Sequence, residues 1–427
     1  MPVDANETID KIKRRLIPFL GLCLFASYLD RVNIGFAALT MNKDLGFSPL
    51  VFGLGSGIFF FGYAGFEVPS NYALARFGAR LWIARIMISW GVVSALMAVT
   101  WNETSFLALR LLLGVAEAGF VPGVVLYLTY WMPTAYRAVA ISAFMLAIPI
   151  SSIVGAPLSG FILAEMGGVW GLKGWQWLFI LEALPSIVLG VLALRVLIDK
   201  PQHADWLSAK ETSWLQNELD KEHVALADGA GHSFLHSILN REVAVLSAIY
   251  FGVVTTLYAL VFWLPQIVHS FGFDTIGTGF LSAIPYIFAA IAMTLWSRHV
   301  DRNGGHVKHV AIATLIAAVS LVATAAVHSA ALTIVTLSFA AVGAYSVFPI
   351  FWTLVTARLP KQHATGAVAF INSVAALSGF CGPYLVGWVK DATGAFTLAL
   401  PILALGPLIS FLLLINIDRL CGTKRNS

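Results

Sequence analysis

Charge is what this sequence has least of. Only 11% of its 427 residues are Asp, Glu, Lys or Arg, against about 25% in an average soluble domain. With 59% hydrophobic residues and a mean hydropathy of +0.83, no ordinary soluble core could absorb the apolar surface. The bilayer is the solvent that fits this composition. Cysteine is scarce as well. Cys23, Cys381 and Cys421 have no metal-ligand or redox spacing, and the first and second lie in apolar runs where packing is their expected role. No P-loop spacing or Walker lysine occurs, and the apolar runs carry no His/Asp/Glu metal cluster or nucleophile–base pattern. An enzyme is therefore not expected, and neither is a cofactor or a metal.

The net charge of +4 does not point to nucleic acid, because of where the charge lies. Twelve runs of the length needed to cross a bilayer, about 20 mostly apolar residues, fall at 16–38, 50–74, 81–101, 105–130, 138–164, 175–198, 242–269, 277–298, 307–328, 330–355, 366–389 and 396–417. Threading these alternately places 21 of the 26 Lys and Arg on one side. Lys43, Lys173 and Lys390 fall on the other side, and Arg31 and Arg110 within helices. This asymmetry is the positive-inside signature, so both termini are expected to be cytoplasmic, Arg419, Lys424 and Arg425 included. Lys11, Lys13, Arg14 and Arg15 precede the first run as in a signal peptide, but no A-x-A-like cleavage site ends it. That run also contains Asp30 and Arg31 and reads as a retained first span.

The longest hydrophilic segment, 199–241, divides the spans six and six. Within it Ser208 and Glu211 have capping-box spacing, and Trp214, Leu215 and Leu219 share a face, predicting a short amphipathic helix on the cytoplasmic surface. The halves 1–198 and 242–427 repeat one another. Arg76-Phe-Gly78 recurs as Arg302-Asn-Gly304 at an offset of 226, Pro133 as Pro360 at 227, and Gly155-Ala-Pro157 as Gly382-Pro383 with the prolines 226 apart. Parallel repeats of this kind place a solute site at the midplane between two bundles. The fold expected is all-α, twelve transmembrane helices in two six-helix bundles.

These features resemble the major facilitator superfamily over essentially the whole chain. Ser297-x-x-x-Asp301-Arg302-Asn-Gly304 is similar to its cytoplasmic loop signature, and Arg110-x-x-x-Gly114 to another of its motifs. The first loop copy, Ala75-Arg76-Phe-Gly78-Ala-Arg80, lacks the acidic residue. Tyr28-Leu-Asp30-Arg31-Val-Asn33-Ile-Gly35, Phe66-Glu67-Val-Pro69-Ser-Asn71, Gly114-Val-Ala-Glu117-Ala-Gly119-Phe-Val-Pro122-Gly123 and Trp175-Gln-Trp177-Leu-Phe look like the anion:cation symporter family. Within it they are most similar to bacterial tartrate, phthalate, hydroxyphenylacetate and sugar-acid permeases. The resemblance implies a multi-pass protein of the bacterial inner membrane that carries a small organic anion, has the proton as coupling ion and acts as a monomer.

A charge at a helix centre costs roughly 2.5–3.5 kcal/mol on insertion scales, so intramembrane charges need a reason. The first half holds Asp30, Arg31, Glu67, Arg110, Glu117 and Glu182 inside or near its spans, and the second half has none well inside. Arg110 and Glu117 lie two turns apart on one face, about 10 Å along the axis, and need separate partners. Asp30 and Arg31 point about 100° apart, which suggests Asp30 facing Arg110 and Arg31 facing the cavity. Arg31 offers a planar fork for a carboxylate or, alternatively, a structural ion pair. The resemblance carries the anion-binding role onto it. Asp30 and Glu117, with Arg110, are candidates for proton coupling, against permanently paired carboxylates. Tyr28 and Tyr63 are expected to line the cavity, with Trp352 and Asn372 as contacts from the second half. Arg76, Arg80, Asp301 and Arg302 are expected to form cytoplasmic gate loops, and Glu67 and Glu182 to pack helices. Sodium coupling and efflux of drugs or metabolites are the alternatives, although two membrane arginines suit cationic drugs poorly.

Overall fold

The computed structural model describes residues 4–227, 240–359 and 361–421, and among these every regular element is helical. Eleven helices are long and apolar enough to cross a membrane: Ala5–Leu45, Pro49–Phe77, Ala79–Val99, Glu103–Thr129, Thr134–Glu165, Gly174–Val196, Arg241–His269, Thr275–Asn303, His306–Ala326, Ala330–Arg358 and Phe370–Thr393. The shorter apolar helix Ala399–Ile415 follows. These match the twelve expected spans one for one.

Three local details depart from expectation. The first helix begins at Ala5 rather than 16, capped by the Asp4 carboxylate, which accepts from the Asn6 and Glu7 amides. The basic segment stays helical because Ile9, Ile12 and Leu16 form one buried face while Arg14 and Arg15 point outward. The fourth span is two helices, Glu103–Glu117 and Phe120–Thr129, broken at Gly119 with φ 84°. The fifth is interrupted at Leu146, between Thr134–Met145 and Ala147–Glu165.

The repeat is visible in the packing. Within the first half the second span packs on the fourth, the third on the sixth, and the first on the fifth and sixth. In the second half the eighth packs on the tenth, the ninth on the twelfth, and the seventh on the eleventh and twelfth. Gly78 and Gly304 end corresponding helices, each donating its N–H four residues back, to Leu74 and Val300. Pro157 and Pro383 sit inside corresponding helices. Pro360, Lys424 and Arg425 lie outside the described residues.

The halves meet along two matched seams, the second span against the eleventh and the fifth against the eighth, and where the first span meets the seventh. Glycine makes the contact backbone to backbone. A Cβ on Gly53 would stand 2.6 Å from the Pro383 carbonyl, and one on Gly160 would stand 2.4 Å from that of Thr275. Both contacts lie toward the non-cytoplasmic ends of the helices. Toward the cytoplasm the second span is freely exposed, Val68 at 63% and Tyr72 at 76%. The protein is closed on the outer side and open inward.

The amphipathic helix runs from Ala209 to Ala227. Its capping box is formed: the Glu211 carboxylate accepts from the Ser208 amide at 2.7 Å and Ser208 Oγ accepts from the Glu211 amide at 3.3 Å. The Ser208 amide, foremost, holds the Glu211 carboxyl below the usual carboxylate range. Leu215 and Leu219 are buried. Lys11 pairs with Glu211 at 3.2 Å, and Glu222 accepts from the Thr134 amide and from Arg137. The helix is thus tied to the first half.

Candidate functional site

Arg31 is held at the junction of the halves, only 6% exposed. Its Nε and Nη2 both donate to Glu117 Oε1, at 3.1 and 2.6 Å, and Ser27 Oγ donates to the same oxygen at 2.7 Å. Three donors converge on one carboxylate oxygen. The guanidinium lies over the rings of Tyr28, Phe59 and Tyr63, 4.7, 5.4 and 5.5 Å from their centroids. From the second half, the Tyr258 hydroxyl accepts a long hydrogen bond from Nη1 at 3.3 Å, and the Tyr258 ring packs 4.4 Å from Phe60. A delocalised cation among aromatic faces tolerates partial desolvation better than an ammonium would.

Local backbone sets this geometry. Ser27 and Arg31 are one turn apart and therefore share a face. Glu117 is the last residue of its helix, directly before the break. Gly119 takes the left-handed φ, and a Cβ there would meet Ser70 Oγ at 2.4 Å, so the break needs glycine for conformation and for space. Irregular backbone inside a membrane is tolerated where protein or a cavity covers it.

Arg110 does not face Asp30 as the sequence suggested. Its Nε donates to the Gly55 carbonyl at 3.0 Å and its Nη2 to that of Ser56 at 3.3 Å, with Phe59 beneath at 5.1 Å. The second and fourth helices approach closely enough for this because Gly114 lies against the Phe59 carbonyl. Asp30 turns the other way, into the first bundle. It accepts from Trp90 Nε1 at 2.9 Å, Ser94 Oγ at 2.8 Å, Ser186 Oγ at 3.2 Å and Asn33 Nδ2 at 3.4 Å. The roughly 100° between successive residues of a helix separates the two: Arg31 faces the junction and Asp30 the bundle core.

Tyr28, Tyr63, Arg31 and Glu117 are therefore brought together, and Asp30 and Arg110 stand apart from them. Trp352 belongs to a separate aromatic group with Tyr250 and Phe351, at 5.2 and 5.6 Å, and Asn372 is exposed on its helix. Tyr258, rather than either, reaches Arg31 from the second half. The side chains of Arg76, Arg80, Asp301 and Arg302 are exposed and make no ion pair among the described residues; Arg80 donates only its backbone N–H, to Asp199 at 2.8 Å. Glu182 is 1% exposed and accepts from Ser159 Oγ at 2.8 Å. Ser27, Trp90, Ser94 and Ser186 were not singled out from sequence. The signal for three of them was spacing: Ser27 with Arg31, and Trp90 with Ser94, are polar groups four apart in apolar helices.

Two packed six-helix bundles, with a charged cluster at their junction and matched seams on one side, are the architecture of a membrane transporter. The chain belongs to the major facilitator superfamily, whose family model matches residues 20–383. It is 47% identical over 413 residues to an Agrobacterium vitis protein named as a tartrate transporter, covering 97% of this chain and 92% of the relative. It is 36% identical to the quinolone resistance transporter of Acinetobacter baumannii, covering 96% of this chain and 94% of the relative. Among solved structures, a bacterial homologue of the human lysosomal transporter Spinster, inward-facing and unoccupied, superposes with a TM-score of 0.74 at 16% identity, covering 96% of each chain. The protein is a multi-pass transporter of the cytoplasmic membrane and not an enzyme, and the resemblance drawn from its motifs is borne out.

Proposed function

We propose that this protein is a monomeric importer of a small organic anion, a carboxylate of the tartrate or sugar-acid kind, driven by protons. The observation that carries the reading is the Arg31–Glu117 pair at 2.6 Å. The guanidinium that would bind a solute carboxylate is occupied by the protein's own carboxylate. A proton on Glu117 frees the fork, and the solute takes the vacated donors, so proton and anion bind together. Tyr28, Tyr63 and Tyr258 supply ring faces and hydroxyls around the solute. Asp30, sequestered among four donors, is the second proton group, and Arg110 fixes the second helix to the fourth. Trp352 and Asn372 lie along the inward exit rather than at Arg31. The halves 1–198 and 242–427 rock about the 199–241 linker, with Arg76, Arg80, Asp301 and Arg302 closing the cytoplasmic side in the outward state. The relatives support the anion; efflux is the second reading, favoured by the quinolone resistance relative.

The test is uptake of labelled tartrate into proteoliposomes in sodium-free buffer under an imposed pH gradient, acid outside. Saturable accumulation that collapses with the gradient, and is lost in Arg31→Ala, is expected. Accumulation that follows sodium alone, or export against the gradient, overturns the import reading. Unchanged carboxylate affinity in Arg31→Ala removes the anion fork.

A further inference from the structure

A second cation sits on the outer side of the closed seam, and the Arg31 site does not use it. Lys173, also on that side, is neutralised by Asp44 at 3.2 Å. Lys390 has no carboxylate partner among the described residues: its Nζ donates to Gln266 Oε1 at 3.4 Å and lies over the rings of Phe396 and Trp263, 4.1 and 5.3 Å away. Aromatic faces hold an ammonium without cancelling its charge. Beside it, Gln266 Nε2 is buried with no acceptor. Two donors in contact thus lack an anion.

Their position gives this meaning. Lys390 is one turn outward of Gly387, which lies against the Pro49 carbonyl where the halves touch. Trp263, the floor beneath the ammonium, packs edge-on against Phe52 of the first half at 5.0 Å and donates Nε1 to the Pro383 carbonyl at 3.1 Å. Gln266, Phe262 and Tyr258 are spaced by four residues and form one strip of the seventh span, about 12 Å long. Gln266, at its outer end, meets Lys390, and Tyr258, at its inner end, meets Arg31. Between them Phe262 stacks on Tyr258 at 6.3 Å and contacts Phe60 at 6.4 Å. A positive group therefore stands at each end of an aromatic plug.

We propose that Lys390 and Gln266 form an outer docking site for a carboxylate, which receives the incoming anion before the plug formed by Phe52, Trp263, Phe60 and Phe262 opens toward Arg31. The inference rests on the anion-import reading above. Lys390 acts on entry from outside and has no part in release to the cytoplasm, because the closed plug separates it from the inward cavity.

The experiment measures tartrate transport at low ionic strength in oriented proteoliposomes, from each face, for wild type, Lys390→Gln and Lys390→Arg. Loss of a steering charge is expected to raise the uptake KM about tenfold and to flatten its dependence on salt. kcat for uptake and thermal stability stay within twofold of wild type, kcat/KM measured from the cytoplasmic face falls by the same factor as that of uptake because the fixed equilibrium ties the two directions together, and Lys390→Arg recovers the uptake KM. An unchanged uptake KM in Lys390→Gln overturns the docking site. So does a loss of uptake that is the same at every ionic strength, which would make Lys390 a clamp on the outer loop. Arg31→Ala in the same vesicles separates the two claims. If wild type binds tartrate through Arg31 and Lys390→Gln leaves the uptake KM and its salt dependence unchanged, only the docking site fails. If wild type binds no carboxylate, the import reading fails with it.

Discussion

Replacing Glu117 by Gln tests the competition between internal and solute carboxylates most directly. In the empty protein Glu117 Oε1 takes two hydrogen bonds from Arg31 and one from Ser27. A solute carboxylate must displace the two charge-assisted bonds, each worth about 1.5–3 kcal/mol net. The solute then makes equivalent bonds, so the penalty it meets is the cost of protonating or stranding Glu117. Glutamine keeps an acceptor for Ser27 but no longer neutralises the guanidinium. Removing that penalty is expected to strengthen binding by about 10- to 100-fold, or roughly 1.4–2.8 kcal/mol. Breaking a buried pair on one side is also destabilising, by about 3–5 kcal/mol, so the empty variant melts lower while its ligand-induced shift grows. Isothermal titration and thermal denaturation with and without tartrate measure both quantities. A variant whose affinity is weaker than wild type refutes the reasoning.

Three further outcomes are expected. Asp30→Asn turns one acceptor oxygen into an amide donor facing either Trp90 and Ser186 or Ser94 and Asn33. It should cost about 1–3 kcal/mol of stability and depress pH-driven accumulation more than solute–solute exchange, read as the ratio of uptake to counterflow. Gly119→Ala forces a Cβ onto Ser70 at a φ of 84°. A penalty of about 1–3 kcal/mol, with weakened carboxylate binding as Glu117 shifts, should appear in melting and titration. Ser208→Ala removes the linker cap and should cost about 0.5–2 kcal/mol of local helix stability, seen as faster amide exchange over 209–222 with transport kinetics unchanged.

Much of the architecture was legible because the bilayer imposes a length and an apolar composition on every crossing helix. The twelve spans, the repeat offset and the capping box at Ser208 all came from rules local in sequence. The break at Gly119 did not, because a single glycine inside an apolar run is ambiguous until its φ and its neighbour Ser70 are known. The charged residues were conspicuous for their cost, and their identity as candidates came from that alone. Their pairing was not legible. Asp30 and Arg31 were known to diverge, but which neighbour each met depended on helix rotation. Rotation placed Trp90 and Ser94 against Asp30, and Glu117, seven residues from Arg110, against Arg31 instead. Tyr258 was visible as a polar residue in the seventh span. Only the close approach of the halves at Phe60 showed it to be the partner from the second half.

The glycine seams have a mechanical consequence. At Gly53, Gly387, Gly160 and Gly279 main chain meets main chain directly, so at those points the surfaces part like two smooth rollers rather than meshed gears. Closing the outer face then depends on shape and dispersion, and reopening it requires few directional bonds to break. A methyl group on either seam would act as a wedge, biasing the molecule toward the outside without touching the charged cluster.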